Sequence, residues 1–289
     1  MAPKTPAAAD SSGEPPAAAD APPRAVLTER IDVAGLREAI DKLRPRVQGI
    51  AVRLCDRAEQ GSVTTTYKKP SGGGRAVAEG CSGQKLWKIL RKAGFFGYCS
   101  YDIAGSHLAL ANALTGGTMT AIRDLVQHYE KKLQELTEAC GGDRGPGRVA
   151  SKAFFLTMLN GGSVRAWRLK FGIAEGCKLT PLARRFLAQA KELRKRVAES
   201  IPEAAEAARR RGKSPLTLCL YEAEDRTLQV FESVAKRHGA EVGLLMFDEV
   251  LVWKGDHSEA SLIALGEEAT REASARWGAP VRFVYSADA

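Results

Sequence analysis

Apolar and polar positions along this chain repeat with two different periods, and the switches between them outline the fold. Residues 1–24 carry no apolar period at all: Ala, Pro, Asp and Ser dominate, with Pro15-Pro16 and Pro22-Pro23. Such a stretch cannot bury enough surface to offset its ordering entropy, so a disordered leader is expected, with a segment boundary set at residue 30. From Val33 to Leu43 the spacing is helical. Val47 to Leu54 and Val63 to Tyr67 are rich in β-branched residues and read as strands, with a flexible turn at Ser71-Gly72-Gly73-Gly74. A helix is predicted from Gln84 to Lys92, with Leu86, Trp87, Ile89 and Leu90 inward. A strand from Gly97 ends in Asp102, and a helix follows over Ser106 to Leu114. Thr118 to Arg211 is almost wholly helical, interrupted at Gly141-Gly142, Gly145-Pro146-Gly147, Asn160-Gly161-Gly162 and Pro181. After Pro215 a long helix runs to His238, and two apolar strands, Glu241 to Phe247 and Val250 to Trp253, meet at Asp248-Glu249. A helix from Ser258 to Trp277 and a strand from Val281 to Tyr285 finish the pattern. Strands and helices in this mixed order imply an α+β fold with mostly antiparallel strands, and no internal repeat is visible.

Composition narrows the class. With 44% hydrophobic and 27% charged residues the 289-residue chain can build a substantial core. No apolar run approaches the ~20 residues that span a bilayer, and no signal-peptide core is present. Asp10, Glu14 and Asp20 argue against a mitochondrial presequence, so an intracellular location is expected without a compartment being specified. The six cysteines are widely spaced and form no C-x-x-C pair, which speaks against a zinc site and for reduced, partly buried thiols. Charge is unevenly placed. From Leu220 onward 7 Lys/Arg face 13 Asp/Glu, whereas the preceding part holds 36 against 21. The basic excess is densest between Arg184 and Arg211. A run of this kind is either a solvated helix face or a surface that tracks phosphates.

Two acidic positions carry the chemistry. Asp248-Glu249 interrupts two apolar strands, either as an ordinary hairpin turn or as a carboxylate held for a cation. Asp102 closes its strand, either leading into a helix N-terminus or serving as a ligand. If the two strands are neighbours, opposed side chains lie ~5 Å apart. That spacing suits a pair of Mg²⁺ ions ~3.5–4 Å apart, the arrangement that promotes in-line phosphoryl displacement. Arg148-x₃-Lys152 places two cations one helical turn apart, as an exposed basic face or as a grip on a triphosphate.

The order of these features resembles the polymerase core of family A DNA polymerases, and more closely the short divergent relatives found in large viruses and mobile elements. Gly74-Arg75 followed nine residues later by Gln84, a strand-ending Asp102, Arg148-x₃-Lys152-x₇-Asn160-Gly161, and Asp248-Glu249 between two strands fall in the family's sequence. Asn160-Gly161-Gly162 and Phe247-Asp248 match the divergent relatives. The resemblance covers the chain from about Tyr67 onward. It implies an antiparallel palm-type sheet backed by helices, with a helical fingers insertion. The segments would be a leader (1–30), an N-terminal helix and first part of the palm (31–117), fingers (118–213) and a second part of the palm (214–289).

The same resemblance implies primer-extending nucleotidyl transfer. Asp102 and Asp248 would hold two Mg²⁺, or Mn²⁺, with Glu249 assisting. Arg148, Lys152, His107 and Asn160 would meet the nucleoside triphosphate, and Arg75, Gln84 and Gly161 the primer–template nucleic acid. Two departures stand out. His107 replaces the family's ribonucleotide-excluding Glu, and Asn160 replaces the Tyr that supports the nascent base pair, so sugar choice and fidelity are open. With little material for a thumb, processivity would rest on a replication partner or on a further segment of a polyprotein. The competing expectations are a catalytically inactive polymerase remnant that binds nucleic acid, and a metal-dependent nuclease.

Overall fold

The computed structural model describes residues 23–43, 49–58, 60–70, 73–141 and 147–288. Most of the expected leader, Val47, the turn residues Ser71-Gly72, and Gly142 and Gly145-Pro146 lie outside the described residues.

Two antiparallel sheets organise the chain. The first joins β1 (Ala25–Arg30), β2 (Ser62–Lys68) and the short β3 (Val77–Ala78) in that order. β1 stands inside the segment expected to be leader up to residue 30. Its Ala25 faces Tyr67 and its Arg30 faces Ser62, so pairing with β2 orders residues whose own composition gives little strand signal. The second sheet comprises β4 (Tyr98–Ile103), β5 (Val242–Leu245), β6 (Glu249–Trp253) and β7 (Phe283–Ser286), in the order β5-β6-β4-β7. Central β4 is buried throughout except at Asp102.

Helices cover both sheets. α1 (Val33–Asp41) is capped by the Asp32 carboxylate, which accepts from the Gly35 amide. α2 (Gly49–Arg57) replaces the strand expected over Val47 to Leu54. Ala51, Leu54, Cys55 and Ala58 are the buried positions, spaced i, i+3, i+4 and i+7, and that helical period outweighs β-branched content. The single helix expected over Gln84 to Lys92 is instead a 3-10 turn (Gly83–Lys85) and α3 (Lys88–Gly94). The extended residues between them turn Trp87 and Ile89 outward, 62% and 58% exposed, and leave only Leu86 and Leu90 inside.

Between β4 and β5 the chain is helical: α4 (Ser106–Leu114), α5 (Thr120–Gln127), α6 (Tyr129–Ala139), α7 (Gly147–Leu159), α8 (Val164–Phe171), α9 (Pro181–Ser200), α10 (Pro202–Arg210) and α11 (Pro215–Arg237). Phe154, Phe155, Trp167 and Phe186 interlock edge to face where α7, α8 and α9 meet. α11 is the spine. Ser214 caps it, Pro215 presets its first turn, and its buried face packs on α4, α9, α10 and α12 (Glu259–Trp277). Tyr101 of β4 lies against Phe231 of α11, with ring centroids 4.6 Å apart, and donates its hydroxyl to the Leu262 carbonyl of α12. The expectation of reduced cysteines fails at one pair: Cys140, after α6, and Cys177, before α9, form a disulfide across 37 residues. They meet because α6, α8 and α9 all pack on α7, which cysteine spacing alone does not reveal. Among the described residues no helix is long and apolar enough to cross a membrane.

Candidate active site

Antiparallel pairing of β4 with β6 sets the site. Asp102 is the register partner of Glu249, and the Ile103 amide donates to the Asp248 carbonyl at 2.8 Å. Asp248 itself sits in the tight β5–β6 turn, closed by a bond from the Met246 amide to the Glu249 carbonyl. Two acids some 146 positions apart in sequence are thus neighbours because one strand pair and one turn place them so. Both line a cleft of about 210 Å³ whose other walls include Arg75, His107, Tyr129 and Lys152.

The electrostatics of this pair are unfavourable without added positive charge. Surrounding protein strips water from the Asp102 carboxyl although it opens on the cleft, and Asp248 and Glu249 repel its charge. Together they push it up to about 7, against the attraction of Lys152. Among the described residues no group of three His, Cys, Asp or Glu side chains is arranged to hold a metal ion. The acids that line the cleft, Asp102 and Asp248, present oxygen atoms only.

The remaining expected site residues divide into those gathered at the cleft and those held elsewhere. Lys152 lines the cleft; Arg148, one turn earlier on α7, is instead paired with Glu130 at the surface, 2.5 Å between guanidinium and carboxylate. Arg75 stands in the cleft wall, its guanidinium 3.9 Å from the Tyr221 ring centroid and 4.9 Å from that of Phe247. Gln84 is 6% exposed. Its carboxamide accepts from the Ala78 amide and donates to the Ala76 and Leu245 carbonyls, pinning β3 to β5. Every strong bond it can make there goes to backbone. Asn160 ends α7, donating to the Leu156 carbonyl and accepting from the Thr217 hydroxyl. Gly161 follows at φ +95, a backbone angle that favours glycine. His107 touches both Asn160 and Arg75, at 3.4 and 3.3 Å. Burial and the adjacent Arg75 push its pKa down to about 4, so the ring is neutral at physiological pH.

Sequence reasoning missed Glu224. This residue of α11 is fully buried, accepts from Arg75 at 2.6 Å and from the Ser106 hydroxyl at 2.8 Å, and lies 3.3 Å from His107. Ser106 in turn reaches Asp248 at 3.3 Å. Desolvation raises the Glu224 pKa, opposed mainly by Arg75. A signal was present: Leu216, Leu220, Glu224 and Phe231 share the buried face of α11, and an acid in an apolar stripe demands a partner. A larger groove, about 620 Å³ between α10 and α11, is mostly apolar and holds no comparable set of opposed acids.

The second sheet carries one acid on a central strand and another on the adjoining hairpin, with the helices between β4 and β5 beside it. Comparison with solved structures shows a polymerase-like fold: the chain is similar to the POL domain of Pol1 from M. smegmatis, solved in complex with DNA primer-template and dNTP, with a TM-score of 0.60. Identity is 14%, covering 89% of this chain and 56% of that one. No protein-family model matches the chain, and no curated protein is similar in sequence.

Proposed function

We propose that the protein is a template-directed nucleotidyltransferase of the DNA polymerase type, extending a primer 3′ end. The observation that carries this reading is the β4–β6 register, which sets Asp102 beside the Asp248-Glu249 turn in one cleft with Lys152. The polymerase-like fold, shared with a domain bound to DNA primer-template and dNTP, supports it.

The carboxylates fit a divalent cation. Both donors are oxygens, and the burial and mutual repulsion that together raise Asp102 are the condition a bound cation relieves. Asp102 and Asp248 would hold the metal, with Glu249 beside them; Mg²⁺ or Mn²⁺ there would supply activation of the attacking hydroxyl and neutralisation of the leaving group. Lys152, exposed on α7 and facing Asp102, binds the triphosphate and offsets charge that grows on it during transfer. Arg75 and His107 border the space left for the nucleotide. The basic helix α9, and Arg209 and Arg210 at the end of α10, offer phosphate contacts to the nucleic acid.

Primer extension with Mg²⁺ and both deoxyribo- and ribonucleotides tests the proposal. Wild type is expected to extend the primer, and Asp248→Ala to lose about a hundredfold or more. Equal inactivity of the two proteins with salt-dependent DNA binding retained would replace the enzyme by a nucleic-acid-binding remnant. Metal-dependent strand cleavage that survives Lys152→Ala would replace it by a nuclease.

A further inference from the structure

α3 buries one side only. Leu90 and Gly94 are its buried residues, and Gly94 lies against Leu36 of α1. Phe95, which follows, packs its ring against Tyr98, with centroids 5.5 Å apart. The other side is exposed. Lys88, Ile89 and Lys92 recur there at helical spacing, with Trp87 just before the helix and Phe96, 75% exposed, just after it. Apolar side chains this large gain nothing from water, and a group of them around one seven-residue helix marks a contact surface.

The charge around them has one sign. From Cys81 to Tyr101 the chain carries Lys85, Lys88, Arg91 and Lys92 and no Asp or Glu. Lys254 adds a cation from beyond β6, its Nζ 5.8 Å from the Phe96 ring centroid. Phe96 also borders a cleft of about 400 Å³ whose walls include Trp253, and the Arg30 guanidinium lies 5.3 Å from the Trp253 ring centroid. Two nearby acids are engaged: Asp32 caps α1, and Glu241 is paired with Arg30 at 2.8 Å. Tyr98 pairs with Trp253, and Asp102 with Glu249. The surface therefore lies at the end of β4 and β6 away from the Asp102–Asp248 cleft, about 13 Å along the strands.

We propose that the outer side of α3, with Phe96 and Lys254, binds single-stranded nucleic acid, bases stacking on Trp87 and Phe96 while the lysines meet the phosphates. A duplex offers the same phosphates but keeps its base faces stacked inside, so rings turned to solvent favour a single strand. A membrane-surface helix segregates its lysines from its apolar side, whereas Lys88 and Lys92 share the exposed side with Ile89. The inference goes beyond the nucleotidyltransferase reading and does not depend on it, because holding a strand requires no metal, triphosphate or catalytic acid.

Fluorescence anisotropy of a labelled oligothymidylate, compared with the matched duplex, tests the proposal. Trp87→Ala and Phe96→Ala are each expected to weaken binding of the single strand about tenfold, and Trp87→Phe to keep most of the affinity. Both side chains are exposed, so the variants should melt at the wild-type midpoint. Lys88→Gln with Lys92→Gln should lower the slope of log affinity against log salt by about 1.4, at roughly 0.7 for each phosphate contact. Duplex affinity of the ring variants should change less than about twofold. Oligothymidylate affinity within about twofold of wild type in both ring variants overturns the proposal. If that unchanged affinity comes with lost binding to vesicles of phosphatidylserine and phosphatidylcholine, the surface is a membrane contact instead; if with lost self-association, a subunit contact. Primer extension keeps the two readings apart. Strand binding that depends on Trp87 and Phe96 in a protein that extends no primer removes the enzyme reading alone, and extension with strand binding indifferent to both rings removes this one alone.

Discussion

Replacing His107 by Gln isolates the cost of keeping a neutral imidazole in the cleft wall. Its neighbours from every adjoining element are Arg75, the Glu224 carboxylate and Tyr221 of α11, Asp248 of the β5–β6 turn, and the Asn160 amide at the end of α7. Burial and Arg75 push the folded-state pKa from 6.5 to about 4. The unfolded chain takes up a proton below 6.5 and the folded chain does not until about 4, so stability is lost as pH falls through that window. Integrated from pH 7 to 4.5 the loss is about 2 kcal/mol, from 1.36 kcal/mol for each tenfold change in proton affinity. Buried Glu29 and Glu224 act in the opposite sense: their folded pKa values are raised, so they add stability as pH falls. Total stability therefore hides the histidine, and the difference between wild type and His107→Gln exposes it. Urea unfolding of both proteins at pH 7 and pH 4.5 is the assay. The variant should gain about 2 kcal/mol relative to wild type on acidification, whatever its offset at pH 7. A difference that stays constant within about 0.5 kcal/mol would show that His107 titrates normally and that the cleft wall is open to water.

Lys152→Ala should lower kcat/KM for nucleotide by about a hundredfold, while Arg148→Ala, whose side chain is engaged by Glu130 outside the cleft, should cost less than about threefold; steady-state primer extension separates them. Gln84→Ala should destabilise the protein by about 2–4 kcal/mol, because one amide and two carbonyls in a buried setting lose their partner; urea midpoints measure it. Gly266→Ala should lower the melting temperature by the equivalent of about 1–3 kcal/mol, since a Cβ there would lie 2.9 Å from the buried Tyr101 ring; calorimetry would refute this with an unchanged midpoint.

The periodicity of apolar residues by itself determined the long elements of this protein. Burying one stripe of α11 or α12, or both faces of β4, dominates the energetics of those segments, and each such demand is written in consecutive residues. It likewise marked Asp102 and Asp248 as acids at strand ends, because a charge breaking an apolar run is visible locally. Short elements were decided elsewhere. β1 exists by pairing with β2, and residues 49–57 coil because Ala51, Leu54 and Cys55 need one common face against the core. Only the tertiary structure could bring Glu224 to Arg75 across 149 positions, close Cys140 onto Cys177, or commit Gln84 to the backbone of β5. Hydrogen bonds and ion pairs act over a few ångströms and carry no trace along the chain of which distant partner folding will deliver.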